Sequence, residues 1–109
     1  SKELLDIVQK ELDDNIQTVK LLGDSLEMAR GREKGRIYDE ITSGVVESQK
    51  KLNQLRDSVN FLRKKTKVFD PVQDYATLKS NLLFARSQYL EDSARLTFLK
   101  SKFPPHLPV

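Results

Sequence analysis

Apolar and small side chains recur through the middle of this chain at Tyr38, Ile41, Val45, Ser48, Leu52, Leu55, Val59, Leu62 and Thr66, in steps that alternate between three and four residues. That 3.5-residue period belongs to a helix packed along its length against a partner helix. It predicts a helix from about Arg36 to Lys67, near 50 Å long at ~1.5 Å per residue. Upstream, Leu5, Val8, Leu12, Asn15 or Ile16, Val19, Leu22, Leu26 and Ala29 hold one face from about Lys2 to Arg30. Gly23 falls inside that helix and costs on the order of 1 kcal/mol relative to alanine, too little to end it. The link Gly31-Arg32-Glu33-Lys34-Gly35 is short and carries a glycine at each end, so the two helices become antiparallel neighbours. The expectation is an antiparallel coiled-coil hairpin over Lys2 to Lys67.

A third helix is predicted from about Val72 to Lys102. The residue before Pro71 is pushed out of the helical region, and Asp70 or Pro71 can start the next helix. The stripe here is Tyr75, Leu78, Leu82, Ala85, Tyr89, Asp92, Leu96, Leu99 and Phe103. Asp92 interrupts it, and a buried carboxylate is costly unless paired, so its expected role is to fix register. Prolines at 104, 105 and 108 make the tail 103–109 non-helical. Beside the main stripes lie second strips, Leu4, Ile7, Leu21 and Met28 on the first helix and Leu83 and Leu90 on the third. The fold class is all-α: a helical hairpin plus a third long helix, packed on the hairpin or on a second chain.

Composition removes several classes of function. The 109 residues suffice for one small domain, and no apolar run approaches the ~20 residues of a membrane span. The absence of cysteine excludes disulfides and thiolate metal sites and points to a cytoplasmic setting. The chain enters helical sequence directly after Ser1, which suggests a fragment of something longer. Net charge is only +3, with both signs interspersed as on solvated helix faces. Two basic clusters stand out, Arg30, Arg32, Lys34 and Arg36 in the link and Arg63, Lys64, Lys65 and Lys67 at the end of the second helix. Part of the second serves the helix dipole. Neither cluster interleaves aromatics for base stacking, and the polar helix faces carry acidic residues. Nucleic acid is therefore not an expected partner, and membrane contact is at most peripheral.

Acid–base catalysis needs titratable groups converging on a pocket, but these carboxylates are scattered along helices and the single histidine, His106, sits among prolines. Gly31 and Gly35 lack the lysine-serine ending of a phosphate loop. The expectation is a non-enzyme with no cofactor and no metal, acting through its surfaces.

On the first helix, Lys10-Glu11-Leu12 leads into Ile16 and Val19. On the second, Val46-Glu47-Ser48-Gln49-Lys50-Lys51-Leu52-Asn53-Gln54-Leu55-Arg56 continues through Asp57-Ser58-Val59-Asn60-Phe61-Leu62-Arg63-Lys64-Lys65-Thr66. These segments, within Lys2 to Val68, resemble an HR1 repeat, the antiparallel coiled-coil hairpin of Rho-effector proteins such as the protein kinase C-related kinases and fungal protein kinase C. Many such repeats carry a Gly-Ala pair midway along the first helix; this chain has Val19-Lys20 there.

The resemblance implies binding to a Rho-type small GTPase in its GTP state, through one face of the hairpin that contacts the ordered switch regions. Off-stripe apolar residues are the natural anchors and charged neighbours set orientation. The candidate binding residues are Val46 and Phe61, surrounded by Lys50, Lys51, Gln54, Arg63, Lys64 and Lys65. The competing assignment for Phe61 is contact with the third helix, and for the lysines an ordinary solvated face. A different class of function is a scaffold, tether or cytoskeletal segment whose second strips bind partner helices, or which homodimerises through the third helix.

Overall fold

The computed structural model describes residues 2–30, 35–64 and 71–102. Among them the structure is all-α: α1 spans Lys2–Arg30, α2 Arg36–Lys64 and α3 Pro71–Lys102. The α1 bounds match the sequence reading. Pro71 opens α3 one residue earlier than expected, consistent with proline's preorganised backbone at a first helical position. At the start of α2 the Asp39 backbone N–H donates to the Gly35 carbonyl at 3.1 Å. The expected end of α2 at Lys67, most of the glycine link, and the proline-rich tail with His106 lie outside the described residues.

Long-range polar contacts set the topology. Arg63 near the end of α2 reaches Asp6 near the start of α1, so these two helices are antiparallel. Lys51 meets Gln88, and Arg95 approaches Glu40, so α2 and α3 are antiparallel too. Lys79 pairs with Glu11 and Lys100 donates to Ser25, so α3 runs parallel to α1. The result is an up-down-up bundle forming a rod of 64 × 18 × 17 Å. The sequence left open whether α3 joins the hairpin or another chain; it joins the hairpin and touches both α1 and α2.

The three stripes make one core. Leu5, Val8, Leu12, Val19, Leu22 and Leu26 of α1 are buried against Tyr38, Ile41, Val45, Leu52, Leu55 and Val59 of α2. From α3 come Leu78, Leu82, Ala85, Tyr89, Leu96 and Leu99, while Ile16, Ala29, Leu62 and Tyr75 are partly buried at its edge. Burial of such side chains stabilises by ~1.5–3 kcal/mol each before chain entropy is counted. Polar ties run beside the α1–α3 seam: the Tyr89 hydroxyl donates to the Asn15 side-chain oxygen, and Asn15 donates in turn to the Glu11 carbonyl. Burial pushes the Tyr89 hydroxyl above its usual range, with Arg86 opposing that shift. Ser48 is fully buried on α2, and its hydroxyl has no hydrogen-bond partner among the described residues.

Asp92 is buried at the α2–α3 seam, directly against Gly44. A methyl group built on Gly44 would lie 2.8 Å from the Asp92 carboxyl carbon, so only the missing side chain admits the carboxylate. Burial pushes the Asp92 carboxyl above the usual carboxylate range, with Arg95 lowering it and Glu91 raising it further. In the pH window between the unfolded value and the raised folded one, the folded chain binds a proton that the unfolded chain has released. Stability contributed at this site is greatest below the unfolded value of ~3.9 and declines as pH rises towards the folded one. Asp92→Asn is expected to raise the melting temperature at neutral pH, with the gain fading as pH falls to ~4. Thermal melts of both proteins across that range check it, and a gain that does not change with pH would contradict it.

Candidate protein-interaction surface

The buried stripe of α2 determines which of its residues are left for a partner. With 3.6 residues per turn, positions six, two and nine residues from Leu52 point away from the core. Val46, Lys50 and Phe61 occupy those positions, with Gln54 and Lys64 beside them, and all are exposed. Val46 is 57% and Phe61 62% exposed, both large apolar groups on a helix whose other face is already satisfied. They stand 15 positions apart, a spacing of ~22 Å along the helix axis. Glu47 and Asp57 share the same side, so this face mixes charges around two exposed apolar side chains.

The remaining candidates go elsewhere. Lys51 leans towards α3, where its ammonium donates to the Gln88 side-chain oxygen at 3.1 Å and lies 4.7 Å from the centroid of the Phe84 ring. Arg63 donates to the Asp6 carboxylate at 2.6 Å and so ties α2 to α1. Lys65 lies outside the described residues. The structure thus gathers Val46, Lys50, Gln54, Phe61 and Lys64 on one side and commits Lys51 and Arg63 to the bundle's flanks.

Phe61 also reaches the α2–α3 groove, which it lines together with Leu62, Asp74, Leu78 and Asn81. Phe61 is 62% exposed, so it lines this groove while most of its surface stays open to solvent. The groove continues along Lys51, Gln54, Leu55, Ser58, Asn81 and Phe84. Phe84, 59% exposed, adds an aromatic that the sequence reading did not single out. Its position two residues after Leu82, off the stripe, was the available signal.

Ile7 and Leu21 of α1 and Leu83 and Leu90 of α3 are all about half exposed. The second strips read from the sequence therefore survive closure of the bundle. Of the basic clusters, Arg36 pairs with Glu40 within its own helix at 3.3 Å, an exposed contact worth ~0–1 kcal/mol. No helix among the described residues is long and apolar enough to cross a membrane. No family model, curated protein or solved structure matches this chain.

Proposed function

We propose that this chain is a non-catalytic protein-interaction module that binds a GTP-loaded Rho-type small GTPase through the outward face of α2. The observation that carries the reading is the placement of Val46 and Phe61, two exposed apolar anchors on one side of a rigid helix, with Lys50, Gln54 and Lys64 around them. Exposed aromatic and apolar groups ringed by polar side chains are the usual anchors of protein interfaces. The choice of partner rests on the resemblance of the hairpin to HR1 repeats. In this mechanism the GTPase orders its switch segments around the nucleotide, and the helix face recognises that ordered surface without chemistry of its own. Such a partner places the module in the cytoplasm.

Phe61→Ala is expected to weaken binding about tenfold or more while leaving the core unchanged, because most of the ring lies outside the bundle. Titration calorimetry against Rho, Rac, Rab and Ras proteins, each loaded with GDP or a non-hydrolysable GTP analogue, tests both statements. Binding confined to the triphosphate form of a Rho member and weakened by Phe61→Ala supports the reading. Equal behaviour of both nucleotide states across the panel would sink it.

A further inference from the structure

The groove between α1 and α3 lies on another side of the bundle and stands independently of the GTPase reading. Its α1 rim is an unbroken heptad series, Ile7, Asp14, Leu21 and Met28, and each member is exposed. Its α3 rim is a matching series, Ala76, Leu83, Leu90 and Thr97, again exposed at every position. Ile7, Leu21 and Met28 on one rim and Leu83 and Leu90 on the other are therefore large apolar side chains that the bundle leaves uncovered.

Leu21 and Leu90 line one stretch of the groove, and Asp14 and Arg86 line the adjoining stretch, which Leu90 also borders. Asp14 and Arg86 are opposite charges on opposite rims, and neither makes an ion pair among the described residues. Because α1 and α3 are parallel, a half-turn about an axis along the bundle preserves height and exchanges the rims. A second copy placed this way sets α1 of each chain against α3 of the other. Leu21 then meets the partner's Leu90, and Asp14 meets the partner's Arg86, twice over by symmetry. A two-fold axis across the bundle at the level of Asp14 would instead bring Asp14 against its own copy.

We propose that the α1–α3 groove is the interface of a parallel homodimer, with Leu21 and Leu90 packing across it and Asp14 paired to Arg86 of the partner subunit. The partner is a second copy because the two rims carry complementary charges along the same stretch of groove, which makes the patch complementary to itself.

Sedimentation equilibrium of the full chain across the micromolar range provides the test. The wild-type protein should be a dimer and Leu90→Glu a monomer with unchanged helical circular dichroism. Asp14→Arg and Arg86→Asp should each weaken dimerisation about tenfold or more, since each leaves like charges facing each other. An equimolar mixture of those two variants should restore the dimer, because both cross-contacts of the heterodimer are then oppositely charged. A monomeric wild-type chain would overturn the proposal. So would a dimer indifferent to Leu90→Glu, or a mixture that associates no better than its components.

Discussion

Replacing Gly44 with valine is expected to lower stability by ~2–3 kcal/mol, although valine is the better helix former. The reason is the Asp92 carboxylate, which occupies the space where the first side-chain carbon would go. Either α2 and α3 part locally, or Asp92 leaves a site in which only 7% of its surface is exposed. Both responses disturb the α2–α3 seam where Gly44 meets Asp92. A double-mutant cycle separates this contact from other effects of a bulkier side chain. In an Asp92→Ala background, the loss caused by Gly44→Val should shrink by more than half, as read from urea denaturation midpoints. An unchanged loss in that background would show that the carboxylate is not the cause. Gly23 supplies the contrast, because a methyl there would sit 3.6 Å from a Val45 methyl and 3.8 Å from the Gln49 amide nitrogen, in ordinary contact.

Leu52→Ala is the second large expected effect, a loss of ~2–5 kcal/mol. Leu52 is 1% exposed and sits near the middle of α2, which packs against both other helices. Truncating it removes apolar contact and leaves a cavity between helices held apart by their neighbours, so collapse can fill the space only in part. For a domain of this size each kcal/mol moves the melting temperature by several degrees, so a fall on the order of 10 °C or more is expected. Calorimetric unfolding measures it directly. A change of only a degree or two would mean that the three stripes do not share one core.

The three helices and their buried faces were legible because each stripe has a helical period and is long enough to exclude a strand. Leu12, Ile41 and Leu82 could be assigned to the core without knowing what covered them. Asp92 was legible as an anomaly, since a carboxylate on an otherwise apolar stripe must meet something unusual. Its partner was not. Gly44 lies off the α2 stripe by one position, and its importance depends on the relative height of α2 and α3, which no local pattern encodes.

The location of α3 was ambiguous for a related reason. Leu83 and Leu90 each follow a stripe residue by one position, about 100° round the helix, so α3 carries a second apolar strip beside the first, and either could meet the hairpin while the other met a second chain. Packing resolved the choice in favour of the longer stripe. For the candidate surface, periodicity placed Val46, Lys50 and Phe61 outside the core correctly. It could not show that Lys51 bends towards Phe84 or that Arg63 reaches Asp6, because both contacts join residues from different helices.

The central claim, that the outward face of α2 recognises a nucleotide-ordered GTPase surface, is tested most directly by methyl-resolved NMR titration. The chain would be titrated with a Rho-type GTPase carrying a non-hydrolysable GTP analogue, and then with the same GTPase carrying GDP. The Val46 methyl signals are expected to shift with the triphosphate form only, while those of Leu83 and Leu90 stay in place. Shifts confined to Leu83 and Leu90, or none in either nucleotide state, would contradict the claim.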